Sequence, residues 1–260
     1  MTQILKSLMP LVAFALLLTV PASAQWSSYP SKRVPRTKDG KVNMAAKPPR
    51  TYYGKTDLSG FWLPTNPVKY LLNFAADMKD SDIPLTPAGK ATLNARIANN
   101  GKDHPGVSCL PSGIPEKLSI PDGLKIVQTE DVTLMLHESR TIYRQIFTDG
   151  RKLPTNAQPM WMGYSIGHWE GTTFVVETIG QNGLTWLDMR GLPGSESLKV
   201  TERYTRPTVG HMLIDVTIED PVNYTKPFKS TLDWTLLPDE EPIESICEEN
   251  NKDPQHMVGK

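Results

Sequence analysis

The chain has 260 residues with a formal net charge of zero, 23 prolines and 18 glycines. A chain without an excess of basic residues offers no basic face for nucleic acid, so we expect no nucleic-acid partner. The many prolines and glycines favour turns and extended connections, and the length suits one β domain.

The first 24 residues have the pattern of a secretory signal peptide. Lys6 supplies the positive charge, an apolar run covers residues 8–20, and residues 22–24 (ASA) form a typical cleavage site. The apolar run is too short to span a bilayer, so we expect no integral membrane segment after cleavage. The sequence therefore predicts a periplasmic or secreted protein.

Residues 25–50 predict an extended or disordered leader, because they combine prolines with many lysines and arginines and few apolar residues. The remaining residues, 51–260, are predicted to form a single domain. The domain contains both cysteines of the chain, Cys109 and Cys247. In an oxidising compartment such a pair predicts one disulfide; a redox or nucleophilic thiol would be expected in a CxxC motif or beside a histidine.

A helix is predicted shortly after residue 85. Thr86 can cap its first turn, Pro87 suits the first helical position, and Gly101 can end it. We expect this helix to plug or flank the β structure.

Strands dominate the chain from residue 124 onwards, and the hairpin at residues 161–178 carries the clearest alternation of apolar and polar residues. Short connections join neighbouring strands antiparallel, and no long helix separates them. The fold class is therefore all-β, an antiparallel up-and-down barrel with one or two short flanking helices; a two-sheet sandwich is the competing architecture. The predicted strands are 125–129, 132–139, 141–148, 162–168, 172–179, 197–205, 212–219, 229–237 and 243–247.

Alternation also predicts which side chains share a face of the sheet. The set on the strand that begins near residue 197 is apolar apart from one glutamate, so we expect it to face inward. That set is Leu198, Val200, Glu202 and Tyr204. Three further sets each share a face of their strand: Ile142, Arg144 and Ile146; Val132, Leu134, Leu136 and Glu138; and Met162, Tyr164, Ile166 and His168.

The ionisable members of these sets form the first candidate site. A few convergent ionisable groups in an apolar barrel are typical of a small-ligand pocket, and burial can tune them for general acid–base chemistry. We assign Glu202 as the general base or acid, Arg144 as the group that orients it or a substrate oxygen, and Tyr164 and His168 as a proton relay. Glu138 and Tyr204 are predicted ligand contacts. The alternative is that Arg144 forms a buried ion pair with Glu202 or Glu138.

The second candidate site is the connection formed by residues 181–196, which is long for a hairpin loop. Trp186 is predicted to stack on an aromatic ligand, with Asp188 beside it. Equally, Trp186 can pack back onto the rim of the barrel.

Neither a cofactor nor a metal is predicted. His168 and Glu170 offer two metal ligands, but no second histidine lies near them in the sequence. The sequence contains no GxSxG motif and no glycine-rich phosphate loop.

Several stretches between residues 126 and 251 resemble a paralogue-rich family of exported bacterial proteins: IVQT, FTDGR, GYSIGHWEGTTFVVETIG, VTERY, DPVNYTKPF and CEENN. That resemblance implies a bacterial origin and a shared fold, and no activity. Gly60 and Trp62 resemble the GxW with which lipocalins begin their first strand. This likeness implies a calycin-type barrel, in which the indole closes one end. Calycin-type barrels include carriers of hydrophobic molecules and a few cofactor-independent enzymes.

We therefore predict that the protein acts on a hydrophobic or aromatic small molecule, as a cofactor-independent lyase or isomerase. The first alternative is a non-catalytic binding or carrier protein that uses the same residues. The second is a structural envelope-interaction module, which requires a barrel packed solid with side chains. The oligomeric state stays open.

Overall fold

The fold comes from a computed structural model, which describes residues 31–65, 68–249 and 251–252. The predicted signal peptide and the first residues of the predicted leader lie outside these residues. The described residues belong to one compact unit that begins at Ser31.

Nine strands close into one barrel in sequence order, and the last strand pairs with the first. The predicted all-β barrel is confirmed. The strand predicted at 243–247 is not formed, because Ser245 makes only an isolated bridge to Ser139. The first strand instead contains Gly60 and Trp62. The strands are β1 Gly60–Pro64, β2 Leu124–Gln128, β3 Val132–His137, β4 Tyr143–Phe147, β5 Tyr164–Glu170, β6 Thr173–Ile179, β7 Lys199–Thr208, β8 His211–Glu219 and β9 Phe228–Leu236.

Closure of nine strands requires a parallel pair. Each antiparallel junction reverses the strand direction, and nine reversals around a ring cannot restore the starting direction. β4 and β5 are the parallel pair, joined by residues 148–163, which cross from one end of the barrel to the other. This junction is short, with only Ile146–Ser165 and Phe147–Ile166 in register. The antiparallel prediction therefore holds at every junction but this one.

The strand register places the connections 65–123, 138–142, 180–198 and 220–227 at the same end of the barrel, which we call the upper end. The described part of the first connection contains two α-helices, α1 Val68–Leu72 and α2 Pro87–Ala98, and three short 3-10 helices. The prediction for α2 is confirmed, since Thr86 accepts a hydrogen bond from the Gly89 amide. Gly89 lies against the backbone of Asn223, so α2 flanks the upper end. No helix of the described residues is long and apolar enough to cross a membrane.

The opposite end, the lower end, is closed by Trp62. Its indole is fully buried and donates from Nε1 to the carbonyl oxygen of Leu58 at 2.9 Å. The Arg206 guanidinium lies 4.7 Å from the centre of its ring. Residues 31–50 of the predicted leader also reach this end, because Val209 and Gly210 donate backbone hydrogen bonds to Ala46 and Met44.

The inner face of the barrel corrects three predicted positions. On β3 the buried side chains are Thr133, Met135 and His137, so Glu138 lies outside the barrel. On β5 the inner face carries Ser165 and Gly167, which leaves Tyr164 and His168 on the outer face. The inner residues of β5 are small because neighbouring strands fill the space in front of them. A Cβ at Gly167 would lie 2.5 Å from the Phe174 ring and 3.0 Å from Ile146.

We predict that Gly167→Val destabilises the fold by about 1–3 kcal/mol or more, because the new side chain overpacks the barrel interior. His168→Val introduces the same residue on the outer face of the same strand and should stay within about 0.5 kcal/mol of wild type. Urea unfolding followed by circular dichroism measures both variants. The opposite order of stabilities would contradict the assignment of faces.

Candidate functional site

Inside the barrel, the Arg144 side chain connects four consecutive strands. From β4 it donates to Ser165 on β5 at 3.1 Å and to Thr178 on β6 at 2.6 Å. Its two terminal nitrogens donate to the two carboxylate oxygens of Glu202 on β7, at 2.8 and 2.6 Å. The Tyr204 hydroxyl donates to Glu202 at 2.5 Å. We call these five residues the barrel network.

The surroundings raise the pKa of both Arg144 and Tyr204. Burial works to lower the pKa of Arg144, but the Glu202 carboxylate outweighs this effect and raises it. Burial and the charge of Glu202 raise the pKa of Tyr204 well above its usual range. Both shifts favour a charged Arg144 and a protonated Tyr204, and both oxygens of Glu202 accept hydrogen bonds within the network. This is the geometry of a structural ion pair; the predicted catalytic roles of Glu202 and Arg144 stay a prediction.

The other residues of the first predicted site lie away from the network. The Tyr164 hydroxyl is 3.2 Å from Arg151 on the outer surface, and the half-exposed His168 is 3.3 Å from Glu170. Glu138 accepts hydrogen bonds from the backbone amides of Gly123 and Ile243 at the upper end. The structure thus brings together Glu202, Arg144 and Tyr204, and separates them from Tyr164, His168 and Glu138.

The structure contains a cavity of about 440 Å³ at the upper end of the barrel. Its walls come from the β1–β2 connection, from the turn between β3 and β4, and from the loop 181–196 through Met189. The residues that line it are Leu71, Asn100, Gly101, His104, Gly106, Val107, Ser112, Glu116, Ile120, Ser139, Arg140 and Met189. We call it the upper cavity.

A buried histidine–carboxylate pair lies in the wall of the upper cavity. His104 Nε2 is 2.9 Å from Glu116 Oε1, and His104 Nδ1 accepts a hydrogen bond from the Gly106 amide at 3.0 Å. The proton of the neutral ring is therefore on Nε2, where it is donated to Glu116. Glu116 is only 1% exposed, and its Oε2 makes no hydrogen bond to the described residues.

The turn between β3 and β4 holds Arg140 in the opposite wall. Arg140 and Thr141 have φ values of 64° and 49°, a conformation that is uncommon for residues other than glycine and an outlier for a β-branched one. Among the described residues, the Arg140 guanidinium makes only long hydrogen bonds, 3.3 Å to the Ser112 hydroxyl and 3.4 Å to the Gly106 carbonyl oxygen. A Cβ at Gly106 would lie 2.7 Å from the guanidinium and 2.9 Å from His104, so this glycine makes room for both side chains.

The predicted ligand contacts Trp186 and Asp188 lie behind the cavity wall. Trp186 is buried and packs edge-on against His104, with ring centres 4.8 Å apart. This agrees with the alternative prediction that Trp186 packs back onto the rim of the barrel. Asp188 accepts backbone hydrogen bonds from Phe74, Gly191 and Leu192. Burial raises the pKa of Asp188 to about 6, although these hydrogen bonds oppose the shift. Both residues therefore support the loop that places Met189 in the wall.

The disulfide between Cys109 and Cys247 is formed, as predicted, and joins the two walls of the upper cavity. Cys109 belongs to the connection that carries His104 and Glu116. Cys247 ends a segment that also holds the β3–β4 turn. In that segment Ser245 bridges to Ser139, and its carbonyl oxygen accepts a hydrogen bond from the Thr141 hydroxyl at 3.3 Å.

Sequence analysis did not single out His104, Glu116 or Arg140 as site residues, nor the buried His137. The first three come from an irregular connection and a turn, where no periodicity marks them. His137 lies inside the barrel without a hydrogen bond from either ring nitrogen to the described residues. Its pKa is well below the usual range because of burial and the charges of Lys117 and Arg144. One sequence signal could have pointed to the cavity. The proline-rich connection around Cys109 carries several ionisable residues.

Comparison of the chain with profiles of known protein families, with curated proteins and with solved structures finds no match. The resemblance to a family of exported bacterial proteins therefore stays a prediction. The closed nine-stranded barrel agrees with the calycin-like interpretation at the level of the fold. Among the described residues, no group of three or more His, Cys, Asp or Glu side chains is arranged to hold a metal ion.

We predict that Glu202→Gln costs about 3–5 kcal/mol of unfolding free energy, because it leaves the Arg144 charge buried without its partner. Glu170→Gln is the matched control, since it breaks the exposed pair with Arg203 on the outer face, at 2.6 Å, and should cost less than about 1 kcal/mol. Urea unfolding at pH 7 compares them. Equal stability of the two variants would show that the network contributes nothing to the fold.

We further predict that removal of the disulfide by Cys109→Ser with Cys247→Ser loosens both cavity walls. In the chain-entropy model a closed loop of 138 residues is worth about 5 kcal/mol, as an upper figure. Hydrogen exchange followed by mass spectrometry should speed up in residues 104–116 and 138–141 in particular. Acceleration spread evenly over β7, β8 and β9 as well would mean that the disulfide stabilises the barrel as a whole and not the cavity.

Proposed function

We propose that the protein binds a small molecule with an apolar body in the upper cavity. The observation that carries this proposal is a cavity of about 440 Å³ with apolar walls and a few convergent polar groups, at a size typical of ligand sites. The apolar part of the wall comes from Leu71, Val107, Ile120 and Met189. The disulfide favours an oxidising compartment, so we place this binding in the periplasm or outside the cell.

The interior of the barrel supports this choice of site. Its large side chains are fully buried, and the polar groups of the barrel network bond to one another. A ligand beside Glu202 would have to displace well-packed groups such as Trp234, Tyr204 and Phe174. The upper cavity demands no such displacement.

A second candidate function is acid–base catalysis by a cofactor-independent lyase or isomerase at the same cavity. The observation that favours it is the Glu116 carboxylate, which is nearly fully buried and has one oxygen without a protein hydrogen bond among the described residues. A carboxylate in such surroundings is suited to proton transfer, and His104 would position it. Conversion of the bound compound over time would distinguish this function from simple binding.

The test uses 2-naphthoate and 2-naphthalenemethanol as probes in isothermal titration calorimetry. Met189→Trp should weaken binding of both probes by about tenfold or more, because the larger side chain fills the cavity. Met160→Trp is the matched control: both methionines are partly exposed, at 48% and 40%, and Met160 does not line the cavity. We expect this control to bind like wild type.

Equal affinity in the two methionine variants would contradict binding in the upper cavity. The proposal would also be contradicted if neither probe showed saturable binding to the wild-type protein. A structural envelope module, in keeping with the packed barrel, would then be the better account.

A further inference from the structure

We infer that the ligand of the upper cavity is a monocarboxylate whose carboxylate group is bound by Arg140. This inference rests on the proposed function, because it names the chemical class that the same cavity accepts.

The first argument is the hydrogen bonding of Arg140. Its guanidinium presents donors in a planar fork that matches a carboxylate. In the protein it makes only the two long hydrogen bonds to Ser112 and Gly106, and its Nε, although buried, makes none to the described residues. A carboxylate in the cavity would give these donors a stronger acceptor than a hydroxyl or a carbonyl group.

The second argument is the charge of the surroundings. Arg144, Arg190 and Arg203 each have a carboxylate oxygen within 2.6–2.8 Å. Among the described residues, no acidic side chain lies within ion-pair distance of Arg140. Glu116, in the same cavity, is engaged with His104. A ligand carboxylate would therefore give Arg140 the ion-pair partner that it lacks among the described residues.

The third argument is the backbone that holds Arg140. Two consecutive residues with left-handed φ, neither of them glycine, cost conformational energy, and such strain concentrates at functional positions. The C-terminal segment restrains this turn through Ser245 and, further along, through the disulfide. The position of the guanidinium over Gly106 is thus imposed by the fold before any ligand arrives.

Glu116 limits the ligand to a single negative charge. Its carboxylate lies in the wall of the same cavity, where a second ligand carboxylate would meet a like charge in surroundings of low dielectric. The apolar wall residues then favour an aromatic or aliphatic body attached to the one carboxylate.

The experiment compares 2-naphthoate, the neutral 2-naphthalenemethanol and 2,6-naphthalenedicarboxylate by calorimetry on the full protein. Wild type should bind 2-naphthoate at least about tenfold more tightly than the other two compounds. Arg140→Gln should remove the preference for naphthoate over the alcohol, and continued binding of the alcohol would show that the cavity is intact. Arg140→Lys keeps the charge without the fork and should give an intermediate preference. Arg203→Gln removes a surface arginine and should bind like wild type.

Equal affinity of wild type for naphthoate and the alcohol would overturn the inference and leave the proposed function standing. A preference for naphthoate that persists in Arg140→Gln would also overturn it. Failure of both compounds to bind, or binding that Met189→Trp does not weaken, would overturn the proposed function itself. If Arg140→Gln no longer binds the alcohol either, two other results decide the inference. These are the preference of Arg140→Lys for naphthoate over the alcohol and the relative affinities of the wild-type protein for the three compounds.

Discussion

The Arg144 side chain spans the shortest junction of the barrel, the one with the fewest residue pairs in register. An odd number of strands forces one parallel pair, and β4 and β5 share only two residue pairs in register. From β4, Arg144 reaches across this junction to Ser165, Thr178 and Glu202, so one guanidinium links four strands from the inside. Arg144 lies among apolar residues in the sequence because its side chain helps to close the barrel. On the inner face of β5, Ser165 is bonded to the guanidinium, and Gly167 leaves room for Phe174 and Ile146.

Because this network and aromatic side chains occupy the interior, we propose the upper end as the place for a ligand. There the long β1–β2 connection covers the barrel, and Trp234 donates a hydrogen bond to the Leu118 carbonyl oxygen at 3.0 Å. Above this contact, the connection and the β3–β4 turn face each other across the upper cavity. The C-terminal segment holds both, through the disulfide and through Ser245. The disulfide therefore connects the walls of the upper cavity in addition to stabilising the fold.

Local patterns predicted most of the fold. The hairpin at 161–178, the cap at Thr86 and the cysteine pair depend on neighbouring residues or on composition, and the structure bears them out. The inward faces of the strands were harder to predict. The inner residues of β5 are small because they contact Phe174 and Arg144, which come from other strands. The parallel junction follows from the number of strands once closure is assumed. The cavity residues could not be predicted from periodicity, since His104, Glu116 and Arg140 meet only through the packing of an irregular connection against a distant turn.

The most direct measurement is chemical-shift mapping of ¹⁵N-labelled protein titrated with 2-naphthoate. If the ligand binds in the upper cavity, the largest shifts occur at the amides of Gly101, Gly106 and Arg140, which line it. The amides of Ser165, Thr178 and Glu202, in the barrel network, should barely respond. Large shifts confined to the network residues would place the ligand inside the barrel and rule out the upper cavity as its site.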